Sequence, residues 1–136
     1  MSSGVPLVAC GRGADIAKAV RKLLAPEYDE QVIHVCLTHE AALIELPALL
    51  RGDLVAPSSG IGTNAERDAA ERVGPRAVLM GGGVTMEEFQ ECKEKAGGNE
   101  DVKWIKLTME KLKELGGPSP DTIVTVCREM LKDAGL

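Results

Sequence analysis

Residues 5–24, VPLVACGRGADIAKAVRKLL, join an apolar run to a glycine-containing turn and then to a helical pattern. The run at 5–10 has the composition of a buried strand, and Gly11 and Gly13 follow it directly. From about Ala14 onward, apolar residues recur at the spacing of one helix face. Because parallel strands need a long crossover between them, this strand–turn–helix unit predicts the start of a parallel α/β domain.

Three further apolar runs repeat this unit along the chain and predict strands at 31–37, 76–80 and 102–107. The patterns between and after them predict helices near 39–50, 64–73, 85–96 and 108–115 and from 119 to the end, with Pro47 ending or kinking the second helix. We therefore predict one α/β domain over residues 1–136, a small three-layer Rossmann-like or flavodoxin-like fold. Its mainly parallel sheet has four strands in the order 2-1-3-4, or five if a weak run at 54–55 joins it.

Composition excludes several classes of protein. The chain of 136 residues carries a formal net charge of −5 and has one Trp, one Tyr and one Phe. An acidic surface without aromatic stacking platforms is not expected to bind nucleic acid. The sequence has no apolar run of the roughly 20 residues that cross a bilayer, and its start does not resemble a secretion signal. We expect no membrane association and a cytoplasmic location.

The four cysteines are Cys10, Cys36, Cys92 and Cys127, and none belongs to a CxxC pair. Each lies in an apolar strand or helix pattern, so the prediction is four reduced and mostly buried thiols. His34 falls in the middle of a strand and is expected to be a hydrogen-bonded core residue. Because histidine and cysteine do not cluster at metal-ligand spacing, we expect no metal site.

The candidate binding site lies where the strands end. In a parallel sheet all strand-to-helix loops share one edge, and ligands bind there. Glycine-rich turns let backbone N–H groups approach a ligand, and helix N-termini favour anions. The sequence thus predicts a site for a nucleotide or another anionic small molecule, formed by Gly11, Arg12, Gly13, Thr38, His39, Gly81, Gly82, Gly83 and Thr85.

The first of these loops resembles the G-x-G-x-x-G fingerprint of Rossmann-type NAD(P)-binding domains. Gly11 and Gly13 match that fingerprint, whereas Ile16 stands in place of the third glycine. No acidic residue stands clearly at the end of the second strand, where the family holds the ribose. The resemblance covers one half of a dinucleotide site and implies NAD(P), or another nucleotide, as the cofactor.

A second resemblance is to a group of short Rossmann-like proteins found in fungi. The features that carry it are Cys10-Gly11, Pro26-Glu27-Tyr28, Glu45 with the stretch 47–52 (PALLRG), and the triple glycine at 81–83. This resemblance implies a fold but no established reaction.

Two other classes of function stay open. Cys10 ends the first strand beside a helix N-terminus and Arg12, a setting that lowers a thiol pKa, and its placement is similar to that in phosphocysteine carriers of the sugar phosphotransferase system. In such a protein Cys10 would be catalytic, with His39 as a base or phosphate donor. The other class is a homo-oligomeric scaffold. Exposed sheet edges and an apolar face with Met130 and Leu131 predict a homodimer.

Overall fold

The computed structural model describes residues 6–24, 32–81, 83–97, 102–117 and 119–135, and a parallel sheet of four strands lies at its centre. The strands are β1 (Leu7–Cys10), β2 (Val32–Cys36), β3 (Ala77–Met80) and β4 (Lys103–Lys106). Each neighbouring pair is parallel, and the order is β2-β1-β3-β4. The predicted fold class and strand order are confirmed.

Six α-helices surround this sheet within the described ranges: α1 (Ala14–Leu24), α2 (His39–Leu50), α3 (Thr63–Glu66), α4 (Met86–Lys95), α5 (Met109–Glu114) and α6 (Pro120–Asp133). Side-chain hydroxyl groups cap several of these helices at their N-termini. Thr85 and Glu88 form a reciprocal capping box at α4, and Thr108 and Ser119 cap α5 and α6. No helix in these ranges combines the length and apolar character that a membrane crossing requires.

The sheet divides the apolar core into two clusters, because successive strand residues point to opposite faces. Leu7, Val35 and Leu79 belong to the cluster on the side where α1 and α6 pack together, here called the α1/α6 face. Val8 and Val78 belong to the opposite cluster, here called the α2/α4 face, where α2 packs against α4. All four cysteines are free and buried, as predicted.

The segment predicted as a helix over Asn64–Val73 differs from that expectation. Helix α3 ends at Glu66, and only a short 3₁₀ turn follows at Ala69–Glu71. The cause is the fully buried Asn64 side chain. Its Nδ2 donates to the Val73 carbonyl at 2.9 Å, and its Oδ1 accepts from the Val73 N–H at 3.2 Å. These two hydrogen bonds close the segment into a loop and hold its ends together.

Helix α2 runs through Pro47 and ends one turn later, at Leu50. Proline removes one N–H from the helix interior, yet Arg51 still donates to the Pro47 carbonyl at 3.2 Å. The buried side chains of Leu46 and Leu49 hold this last turn against the sheet. The weak run at 54–55 forms no strand, so the described sheet has four strands and not five.

Neither edge of the sheet is as open as the sequence suggested. Beside β2, the Val35 N–H donates to Ile61 O at 3.0 Å, and Ser59 Oγ donates to Val35 O at 2.6 Å. Strand β4 carries lysines, which discourage pairing with another strand. The apolar face of α6 is also occupied, because Leu131 is fully buried in the α1/α6 core and Met130 packs against it. Both residues therefore serve the core, and homodimerisation stays a prediction that needs another surface.

Candidate functional site

A cavity of about 350 Å³ lies on the α1/α6 face, between the sheet and the helices α1 and α6. Its inner wall is apolar, with contributions from Val20, Val35, Leu79, Leu112 and Ile123. It extends to the carboxyl edge of the sheet, where the loops after β1 and β3 border it. Its volume lies at the lower end of the range of ligand pockets, about 300 to 1,000 Å³.

The glycines of the first loop leave open space at this edge. A Cβ added at Gly11 would meet no heavy atom of the described chain within 4 Å, and at Gly13 the nearest atom is Ile16 Cδ1 at 3.7 Å. Neither glycine has a left-handed φ, so the backbone does not require glycine at either position. Gly62 is the opposite case. Its φ is +129°, and a Cβ there would lie 2.4 Å from the Ile33 carbonyl oxygen. The room at Gly11 and Gly13 is therefore available to a ligand.

Two exposed apolar side chains flank the cavity. Ile16 is 46% exposed and Met109 is 38% exposed, and both contribute to its lining. Apolar surface that stays in contact with water at the edge of a cavity is typical of a binding site. A ligand with an apolar body would cover these side chains.

Arg12 brings a positive charge to the same edge. Its Nη2 lies 3.1 Å from Glu88 Oε1, and its Nη1 donates to the Gly11 carbonyl at 3.2 Å. The hydrogen bond from the Thr85 backbone N–H, followed by the charge of Arg12, holds the pKa of Glu88 below its ordinary value. The Glu88 carboxylate thus occupies the position beside Arg12 where a bound anion would lie.

The loop after β3 is held by Lys106, which was not among the predicted site residues. Lys106 Nζ donates to the Gly81 carbonyl at 2.9 Å and to the Leu107 carbonyl at 2.5 Å, and burial lowers its pKa. Gly81 also approaches β1 closely, since a Cβ there would lie 3.3 Å from the Cys10 carbonyl oxygen. Lys106 ends β4, the strand beside β3, and the glycine-rich loop follows β3. A lysine at that strand end was the available signal for this role.

The structure brings together only part of the predicted site. Gly11, Arg12, Gly13, Gly81 and Gly83 all line the cavity, as does Cys10. Gly82 lies outside the described residues.

The other predicted members, Thr38, His39 and Thr85, are not in the cavity lining. Thr38 and Thr85 use their hydroxyl groups to cap α2 and α4. They support the helices beside the site and do not border the cavity.

His39 faces α4 across the α2/α4 side of the molecule. Its Nε2 lies 2.7 Å from Glu91 Oε1, its Nδ1 lies 3.8 Å from Glu88 Oε2, and Cys92 Sγ is 3.9 Å from Nδ1. Burial raises the pKa of Cys92 to about 11, so this thiol stays protonated at neutral pH. The arrangement orders His39 but does not activate the neighbouring sulfur.

Cys10 is 4% exposed, and its side chain packs in the α2/α4 core. On the adjacent strand, the neighbouring Cys10 thiol and burial raise the pKa of Cys36. The guanidinium of Arg12, which was expected to activate Cys10, pairs with Glu88. This placement gives a phosphoryl donor little thiol surface to reach.

The fold and the cavity define a small parallel α/β protein with a candidate small-molecule site. No protein-family model matches the chain, and no solved structure matches it. The chain is similar to a protein of Aspergillus oryzae named "Kojic acid related protein 6", with 36% identity over 107 residues. The match covers 77% of this chain and 60% of the relative. A fungal relative agrees with the resemblance to fungal proteins, whereas the Rossmann-like part of that resemblance stays a prediction.

Proposed function

We propose that this chain binds a small amphipathic anion, with the apolar part of the ligand in the cavity and its anionic end beside Arg12. The observation that carries this proposal is an apolar cavity of about 350 Å³ bordered at one end by Gly11, Arg12 and Gly13. An apolar interior with a few polar groups at one end is the usual composition of a ligand site.

The charge of the lining supports the class of ligand. Among the described residues, Arg12 is the one charged residue that lines the cavity. A guanidinium binds a carboxylate or phosphate through two parallel hydrogen bonds, so a planar carboxylate suits this position. To reach Arg12, the ligand must replace Glu88, which limits affinity and favours ligands whose apolar part fills the cavity.

A nucleotide such as NAD(P) is the alternative for the same site. It is favoured by the two glycine-rich loops at one edge of a parallel sheet. The apolar lining suits a nucleotide less well than a carboxylate with a hydrocarbon or aromatic body, because phosphates and riboses need polar partners. Both classes belong in the same binding screen.

The name of the Aspergillus relative makes kojic acid a further probe. Because this chain spans 60% of that relative, any shared role is part of the proposal. A cytoplasmic location is also proposed, supported by four free cysteines. The homodimer stays a prediction that light scattering can test.

The first experiment is a thermal-shift screen with alkyl and aromatic carboxylates, kojic acid, NAD(P) and FMN. A ligand that binds only the folded protein stabilises it by roughly 2.7 kcal/mol at a hundredfold excess over its Kd. Calorimetry then measures each hit on Gly13→Val and on the control Gly74→Val. Gly74 also lacks a left-handed φ, but a Cβ there would meet only Leu54 Cδ2 at 3.7 Å, away from the cavity lining.

We expect Gly13→Val to fold normally and to lose ligand binding, because its side chain enters the open space at the cavity edge. Gly74→Val should bind like the wild type. If carboxylates fail and nucleotides bind with the same sensitivity to Gly13→Val, the nucleotide alternative is correct. If the hit binds Gly13→Val at wild-type affinity, the cavity is not the site. If no probe binds, the scaffold interpretation takes first place.

A further inference from the structure

A buried histidine–glutamate pair lies on the α2/α4 face, and an exposed serine holds its carboxylate. His34 is 0% exposed at the centre of β2, and its Nε2 lies 2.6 Å from Oε1 of the buried Glu45 on α2. Ser58 Oγ donates to Glu45 Oε2 at 2.7 Å, and the Ser58 N–H donates to Oε1 at 3.3 Å. Polar groups in a core need partners, and here the carboxylate is held from two sides.

A thiol, that of Cys36, lies beside the His34–Glu45 pair. Cys36 follows His34 by two residues on β2, so both side chains point to the same face of the sheet. One ligand atom each from His34, Cys36 and Glu45 lies within 4.8 Å of the other two. Cys10 pairs in register with Cys36 on the adjacent strand.

We propose that His34, Cys36 and Glu45 form a buried site for a divalent transition-metal ion, with Zn²⁺ as the best match. Imidazole nitrogen, thiolate sulfur and carboxylate oxygen are the three ligand types that protein zinc sites use. Ions that bind only to hard oxygen ligands, such as Mg²⁺ and Ca²⁺, do not suit a set that includes sulfur.

The charges of these groups fit a divalent ion. A Cys36 thiolate and a Glu45 carboxylate together neutralise it, while His34 binds as neutral imidazole. The filled site then carries no net charge, which matters because an uncompensated charge in a dry core is strongly unfavourable. Binding transfers the Cys36 thiol proton, and any extra proton on His34, to solvent, and no oxidation or reduction takes place.

The contact between His34 and Glu45 indicates where the ion would lie. It joins His34 Nε2 to Glu45 Oε1 at 2.6 Å, so Nε2 is the ring nitrogen that faces the carboxylate. Both residues are buried, and the ion would take the place of the proton that these two atoms share.

The surroundings also resemble the supporting shell of a metal site. Ser58 orients Glu45 through its hydroxyl and N–H groups, and Cys10 lies beside Cys36 in the strand register. Two ligands of a tetrahedral ion with bonds of about 2.0 to 2.3 Å lie roughly 3.2 to 3.8 Å apart. His34 Nε2 and Glu45 Oε1, which are 2.6 Å apart, must therefore separate slightly to admit the ion. The site is closed to solvent, so we expect the ion to enter while the chain folds.

The test uses tag-free protein, unfolded in denaturant with a thiol reductant and refolded with Zn²⁺ or Co²⁺ alone. After desalting, elemental analysis should find one metal ion per chain. The Co²⁺ form should show the near-ultraviolet charge-transfer band of a cobalt–thiolate bond. Refolding with Zn²⁺ should also give a higher Tm than refolding with EDTA.

Variants then assign the ligands. Cys36→Ser should abolish the charge-transfer band, and Glu45→Gln, which keeps the size of the side chain, should weaken metal binding by more than about tenfold. The matched control is Cys127→Ser, a thiol that is 1% exposed in the α1/α6 core, and it should bind as the wild type does. Far-ultraviolet circular dichroism checks that each variant folds.

Three results would overturn the proposal. The first is wild-type protein that retains no stoichiometric metal after refolding, which needs no variant to interpret. The second is a folded Cys36→Ser variant with an unchanged cobalt spectrum. The third is loss of the metal in Cys92→Ser but not in Cys36→Ser, which would assign it to Cys92, His39 and Glu91 instead.

Discussion

The two faces of the sheet use the same four strands in different ways. On the α1/α6 face the core leaves a cavity of about 350 Å³, and small residues such as Gly13 and Ala17 border it. On the α2/α4 face, Leu46 and Leu49 pack against the strands, and the interior also accommodates His34 and Glu45. The difference teaches that the helices, more than the strands, decide which face keeps room for a ligand.

The largest effect is expected from the buried histidine–glutamate pair of the α2/α4 face. In the described residues, an exposed pair, His39–Glu91 at 2.7 Å, has nearly the same distance as this buried pair, His34–Glu45 at 2.6 Å. Glu45→Ala should lower the free energy of unfolding by about 3 kcal/mol, because it leaves a buried histidine without its partner. Chemical denaturation measures this loss.

Glu91→Ala is the matched control, since the Glu91 side chain is 59% exposed. An exposed pair contributes less than about 1 kcal/mol, because water and salt screen it. Equal losses in the two variants would show that burial does not set the strength of these pairs. The proposed contrast between the closed, partly polar α2/α4 face and the open α1/α6 face would then be wrong.

Enlarging an alanine on each face should give a smaller effect, and one that differs between the faces. Ala42 is 3% exposed in the core of the α2/α4 face, whereas Ala17 lines the cavity. Ala42→Leu should destabilise by about 2 kcal/mol, since added methyl groups overpack a filled core. Ala17→Leu should be neutral or stabilising, because the cavity accepts the larger side chain. Thermal and denaturant unfolding of both variants measure the difference.

The same Ala17→Leu variant should lose ligand binding although the protein stays stably folded. The loss can then be attributed to the filled cavity and not to unfolding. If Ala17→Leu instead destabilises the protein as much as Ala42→Leu does, the α1/α6 face is as tightly packed as its opposite. The cavity would then not be available to a ligand.

Local patterns in the sequence predicted most of the fold, because strands and helix caps depend on near neighbours. The Thr85–Glu88 capping box needs only residues three apart, and both of its hydrogen bonds are present. The expected helix over Asn64–Val73 was wrong for a non-local reason. The Asn64 side chain reaches the Val73 backbone nine residues away. Helical propensity in that segment carries no information about a buried amide.

The candidate site was less predictable, because it depends on where side chains point. Thr38 and Thr85 were assigned to a ligand, although a threonine just before a helix is the usual cap. His34 and Glu45 lie 11 residues apart and meet only when α2 packs on β2. Two ionisable residues, each within an otherwise apolar stretch, were the available signal, because such groups must find partners when buried.

The smallest effect concerns the boundary between the two faces, where Arg12 at the cavity edge pairs with Glu88 of α4. If an anionic ligand must replace Glu88, then Glu88→Gln should raise its affinity about threefold, in line with the modest strength of exposed ion pairs. Glutamine still accepts from the Thr85 N–H, so the capping box and α4 should be retained.

The control is Glu91→Gln, which removes a charge from the same helix but leaves the Arg12–Glu88 pair unchanged. Calorimetry with the carboxylate hit measures both variants. A threefold gain in Glu88→Gln alone would place the anion at Arg12. Equal gains in both would indicate a general field effect, and no gain in either would place the anionic end of the ligand elsewhere.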